Sequence, residues 1–125
     1  MDFRDETVAD LAAQVANREV SARELVQAAL ERIEEHDGAV NAFVVLDGDG
    51  ALTQAAAIDQ AIAHDEDLGP LAGVPLAVKD LDDAVGFVTT HGSAAHRDDP
   101  PATRDSILVE RLRASGCVIV GKTNT

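Results

Sequence analysis

Arg104-Asp-Ser-Ile-Leu-Val-Glu-Arg-Leu-Arg-Ala-Ser-Gly116 runs straight into Cys117-Val118-Ile119-Val120, and this stretch decides the fold. Asp105 is placed to cap a helix with Leu108, Val109 and Leu112 on a common face. Gly116 closes that helix, and the four apolar residues after it predict a buried strand. Upstream, Leu76-Ala77-Val78 is a second short, wholly apolar strand of the kind found inside a parallel sheet. A polar, glycine-containing loop lies between them, through Thr89-Thr90, Gly92-Ser93 and Asp98-Asp99-Pro100-Pro101. Strand, loop, helix, glycine, strand is the order of a crossover between parallel strands. Ligands in open parallel sheets gather at the carboxyl ends of strands. Lys79 directly follows the first strand, and Thr123 and Asn124 follow the second. If both strands lie in one sheet, these residues share a functional rim.

Around this segment, residues 1–67 read as a mainly helical lead-in and 68–125 as the strand-loop-helix-strand segment of the same domain. Val8, Leu11, Ala12 and Val15 recur at the spacing of one helix face. Ser21-Ala-Arg-Glu24 has the form of a capping box, with Leu25, Val26, Ala29, Leu30 and Ile33 along one side of the helix behind it. Gly38 is expected to end that helix in a left-handed conformation. Ala42 to Leu46 reads as a short strand bounded by the turn Asp47-Gly48-Asp49-Gly50, and Ala51 to His64 as a further helix. The fold class is therefore α/β: amino-terminal helices followed by part of a mixed, largely parallel sheet.

The chain has 125 residues, 46% hydrophobic and 26% charged, an ordinary globular balance. Aromatics are only 2%, so the core must be built from Ala, Val, Leu and Ile. Ten basic residues against 23 acidic ones give a net charge of −13, which repels phosphate backbones and anionic headgroups. Neither nucleic acid nor a membrane surface is expected as a partner. Cys117 is the only cysteine, so no intramolecular disulfide is available. The start is acidic with no apolar run behind it, and a soluble cytoplasmic setting is the default expectation.

From the residues alone, Lys79 supports two readings. An ammonium avoids apolar surroundings, and a lysine desolvated in a cleft can act as a base or nucleophile. Alternatively it reaches out to solvent or pairs with Asp80, Asp82 or Asp83. In an extended segment Asp80 points to the opposite face from Lys79, so it need not be the partner.

Gly69-Pro-Leu-Ala-Gly-Val-Pro-Leu-Ala-Val-Lys79-Asp80 resembles the core of the amidase-signature family. The likeness continues through Gly86-Phe-Val-Thr-Thr90-His-Gly-Ser93 and the Arg104–Gly116 block to Val118-Ile-Val-Gly-Lys-Thr-Asn124. The resemblance implies amide hydrolysis by a Ser–Ser–Lys triad acting on a small-molecule amide, with no cofactor, and it maps the catalytic lysine onto Lys79. It further implies that a second serine, held in a cis peptide, relays a proton between the nucleophilic serine and that lysine.

In the family both serines follow the Lys-Thr-Asn block, and this sequence ends at Thr125. Of its own serines, Ser21 reads as a cap, Ser106 and Ser115 lie in the predicted helix, and Ser93 belongs to a glycine turn. The 125-residue chain alone is therefore expected to be inactive. An alternative within the resemblance is part of the glutamine-hydrolysing component of a tRNA amidotransferase. The block from Ala77 to Phe87 looks more like stand-alone amidases. A third reading is a non-catalytic fragment acting only by association with another chain. Self-association, or docking with a carboxy-terminal portion, is expected because a sheet ending after Val120 leaves an unpaired edge. His91 and His96, five residues apart, do not predict a zinc site, and Cys117 reads as a small buried hydrophobe.

Overall fold

The computed structural model describes residues 1–125. Three helices come first around a short strand: α1 (Val8–Ala16), α2 (Ala22–Val40), β1 (Phe43–Leu46) and α3 (Gly48–Ala63). Then follow β2 (Pro75–Lys79), α4 (Ile107–Ala114) and β3 (Val118–Thr123). The sheet order is β1-β3-β2, with β2 parallel and β1 antiparallel to β3. The predicted crossover is present, and the sheet is mixed.

Local chemistry explains where the helices start. The Thr7 hydroxyl accepts from the Asp10 amide while the Asp10 carboxylate takes the Thr7 amide, and Ser21 and Glu24 repeat the arrangement on α2. Asp59 of α3 accepts from the amides of Ala22 at 2.7 Å and Arg23 at 3.1 Å, so one side chain ties α3 to the first turn of α2. The core has two faces. Leu11, Val15, Ala22, Leu25, Val26, Ala51 and Ala55 pack with Val118 and Val120 on the side of α1–α3. Val78, Ala84, Phe87, Val109 and Ile119 fill the other side beneath α4. Buried alanines let α2 and α3 approach closely, which is how a chain with few rings closes its core.

Several expectations are corrected. Gly38 stays helical, and α2 continues to Val40, where Asn41 takes the left-handed conformation at φ 51°. The Asp37 carboxylate causes the later stop by accepting from the amides of Ala42 and Phe43 at 2.7 and 3.2 Å. Asp47 to Gly50 is not a separate turn. Asp47 caps α3 by accepting from Gly50 N at 3.0 Å, so the helix begins at Gly48. Ser106 rather than Asp105 caps α4, and Asp105 instead binds Val85 N and the Arg113 guanidinium. Leu108 and Val109 cannot share a face, being consecutive in a helix that turns about 100° per residue. Val109 is buried and Leu108 exposed. The strand after Gly116 does not stop at Val120 but runs to Thr123, paired on both sides. The free edges are those of β1 and β2, so Leu76-Ala77-Val78 is an edge strand here. Gly116, at φ 96°, does close α4, and a Cβ there would stand 2.6 Å from Ala72 Cα.

Candidate active site

Lys79 is the last residue of β2 and is exposed, while Val78 before it and Asp80 after it are buried. This is strand alternation carried to the carboxyl end of the sheet. Lys79 lies in register with Thr123 of β3, and Asp80 N donates to Thr123 O at 2.9 Å. Lys79 and Thr123 are thus brought together. Asn124 is exposed and turned toward the other strand: its amide donates to Ala42 O at 2.7 Å and its side chain to Asn41 O at 3.3 Å. No carboxylate lies within ion-pair distance of the Lys79 ammonium. Of the readings open from the sequence, this chain shows Lys79 reaching solvent. It is exposed rather than desolvated in a cleft, and it does not pair with Asp80, Asp82 or Asp83.

Asp80 has a different partner, which the sequence did not disclose. Lys122 and Asp80 are both wholly buried, with Nζ 3.2 Å from Oδ1. Lys122 also donates to Thr89 Oγ1 at 3.1 Å. The Thr90 amide donates to Asp80 Oδ1 at 3.0 Å and the Thr90 hydroxyl to Oδ2. Burial works to raise the Asp80 carboxyl, but the Thr90 hydrogen bonds and the Lys122 ammonium outweigh it and hold the carboxyl below the usual range. Taking two ions out of water costs several kcal/mol each, and only hydrogen bonding this complete makes the arrangement tolerable.

A bulge aims Lys122 there. In the pairing with β2, Leu76 opposes Ile119 but Ala77 opposes Gly121, so Val120 is an extra residue in β3. Val118 and Val120 face the α1–α3 side, and strict alternation would send residue 122 the same way. The extra residue reverses the parity, and Lys122 comes into register with Val78 on the α4 side. Lys79 and Lys122 are the only lysines in the chain, against eight arginines. That scarcity was the available signal, since both sit at adjacent strand ends.

The other serines and histidines are engaged elsewhere. Ser93 Oγ accepts from Ala95 N at 3.3 Å and is not bonded to Lys79. Ser106 and Ser115 cap the two ends of α4 rather than lying within it. His96 bonds Asp99 at 2.8 Å, and its ring meets His91 edge-on at 5.5 Å. Cys117 is buried, and burial pushes its thiol up against the weaker pull of the Ser115 hydroxyl. An open apolar groove of 470 Å³ between α2, β1 and β2 is lined by Phe3, Ile33, Phe43, Leu76 and Ala77 among others, but not by Lys79. No helix is long and apolar enough to cross a membrane.

An exposed lysine closing one of two parallel strands, with buried counter-charges behind it, is what this fold presents for chemistry. The family model described as Amidase matches residues 24–125. The chain is 49% identical over 123 residues to a subunit of the glutamyl-tRNA(Gln) amidotransferase of Acidothermus cellulolyticus, covering 98% of this chain and 24% of that protein. It superposes with a TM-score of 0.88 and 38% identity on the native peptide amidase of Stenotrophomonas maltophilia, covering 98% of this chain and 25% of the other. A protein from a vestigial complex that reveals the origins of an s-triazine catabolic enzyme gives a TM-score of 0.91 at 40% identity, over 95% of this chain and 26% of its own. The chain belongs to the amidase family, in its amidase-signature form. It spans about a quarter of the length of the relatives it matches.

Proposed function

We propose that this chain contributes the general-base lysine, Lys79, to a Ser–Ser–Lys site that hydrolyses small-molecule amides. Both serines then come from further polypeptide, and the 125 residues by themselves are inactive. The observation that carries this reading is the placement of Lys79: exposed at the carboxyl end of β2, in register with Thr123, with no carboxylate on its ammonium. In the reaction the nucleophilic serine attacks the amide carbonyl. Its proton passes through the second serine to Lys79 and on to the amide nitrogen. The C–N bond breaks and the amine leaves, and water then cleaves the acyl ester to give the acid and restore the serine. Thr123 forms the rim beside the base, while Asn124 sits on the β1 side of the sheet end. The single free thiol fits a reducing, cytoplasmic setting. The test compares amide hydrolysis by the purified chain with its Lys79→Ala variant, expecting the same background from both. A clear activity lost on that substitution removes the need for outside serines.

A second reading has its own support. The relatives at 49 and 48% identity carry the name of a glutamyl-tRNA(Gln) amidotransferase component, whereas the Ala77–Phe87 block favoured stand-alone amidases. In that reading the completed site releases ammonia from glutamine and works in a complex with other chains. Joining residues 1–125 to the remaining length of the Acidothermus protein, then assaying ammonia release from glutamine and from simple amides, separates the two.

A further inference from the structure

The Asp80–Lys122 pair holds three segments at one point. Asp80 takes Thr90 through its carboxylate, accepts from His91 N through its carbonyl at 3.0 Å, and donates its amide to Thr123 O. Lys122 adds Thr89, whose hydroxyl in turn donates to Asp83 at 2.7 Å. The ends of β2 and β3 and the 89–91 segment therefore meet on two charged side chains. An apolar pair would fill the same volume without the desolvation penalty, and such replacements are often neutral or stabilising. An apolar residue would also need no bulge to find a buried face. What the charged pair supplies and an apolar one does not is direction: apolar contacts tolerate sliding, whereas these hydrogen bonds fix the rotation of the chain at Asp80.

We infer that Lys122 is a positioning residue: with Asp80 it clamps the strand ends and the 89–91 segment in the arrangement that presents the Lys79 amine on the open side. This rests on Lys79 being the base. The rotation of residue 80 sets that of residue 79, because successive side chains of a strand leave opposite faces. Lys122 touches neither substrate nor Lys79 in this role and acts through Asp80.

The experiment compares Asp80→Asn, Lys122→Met and the double variant in the 125-residue chain, reading denaturation midpoints and amide hydrogen exchange. Each single change should destabilise by stranding one buried partner, and the double should regain most of that loss. In the double variant the amides of residues 80, 90 and 91 should exchange at least about tenfold faster than in the parent, with Ile119 unchanged. In the chain joined to the rest of the Acidothermus protein, the double variant should lose about tenfold or more in kcat with KM nearly constant. Parental exchange at 80, 90 and 91 in the stable double variant makes the pair a purely structural element and overturns the inference. So does parental kcat in an enzyme that Lys79→Ala inactivates. Unchanged turnover of Lys79→Ala instead sinks the reading of Lys79 as the base, and exchange then still decides whether the clamp exists.

Discussion

Gly121 passes so near Val45 on the adjoining strand that a Cβ at position 121 would overlap the Val45 carbonyl oxygen and crowd Leu46 Cα at 3.2 Å. Backbone cannot yield as a flexible side chain can. Gly121→Ala should therefore destabilise the chain by about 1–3 kcal/mol or more, the cost of overpacking a closed site. Gly38 is the matched control, helical and with nothing within 4 Å of its would-be Cβ. Gly38→Ala should stabilise by about 0.5–1 kcal/mol. Denaturant midpoints of the two variants moving in the same direction would contradict this account of β3.

Acid should weaken the buried pair. The Asp80 carboxyl is held below its unfolded-chain value, so its contribution is complete above about pH 4 and is lost as pH falls through the folded-state value. At about pH 7, Asp80→Asn should cost about 3–5 kcal/mol, because it strands the Lys122 ammonium. The gap between parent and variant should shrink toward about pH 3, as protonation does to the parent what the substitution did to the variant. Asp10 and Glu24 are also held low by the capping hydrogen bonds of Thr7 and Ser21, but they are common to both chains and cancel. A gap constant across that range would mean that Asp80 is not charged in the fold.

Whether a feature could be read from the sequence depends on how local its cause is. The Ser21–Glu24 box is complete within four residues and reads directly. The end of α2 does not, because Asp37 supplies the cap from inside the helix, beyond the reach of the glycine that looked like a stop. That Lys79 and Asp80 leave the strand on opposite sides followed from alternation, but which of the two meets solvent did not. Lys79 itself was legible from its motif. Lys122 was not, because its direction depends on an extra residue at Val120, visible only once β2 and β3 are paired. The α4 face was misjudged for a related reason: apolar residues at 108, 109 and 112 do not reveal which of them meets the sheet.

Association should increase with both concentration and salt. Ile107 and Leu108 are 70% and 54% exposed at the start of α4. Hydrogen bonds from Val85 N to the Asp105 carboxylate and from Ser106 N to Asp83 O bring exposed Val85 alongside. Apolar surface of this kind favours contact, while a net charge of −13 opposes it until salt screens the charge. Sedimentation should show average mass rising with concentration, more steeply in high salt, and Ile107→Glu with Leu108→Glu should suppress the rise. A compact monomer at high concentration under both conditions would count against it.

The placement of the two lysines can be read chemically, because the chain carries only three amines: Lys79, Lys122 and the amino terminus. Reductive methylation with isotope-labelled formaldehyde marks each as a separate resonance. In the folded chain the exposed Lys79 and the terminus should react freely, while Lys122, with no solvent-accessible surface, should react only as the strand ends open. In denaturant the two lysines should become equivalent. Single replacement of Asp80 by Asn should speed labelling of Lys122 far more than that of Lys79, because it removes the counter-ion that makes the buried ammonium tolerable. Lys122 labelled as fast as Lys79 in the folded chain would dissolve the clamp. A Lys79 that resists the reagent would place its amine away from the open side of the sheet, and the base would lose its access to any serine.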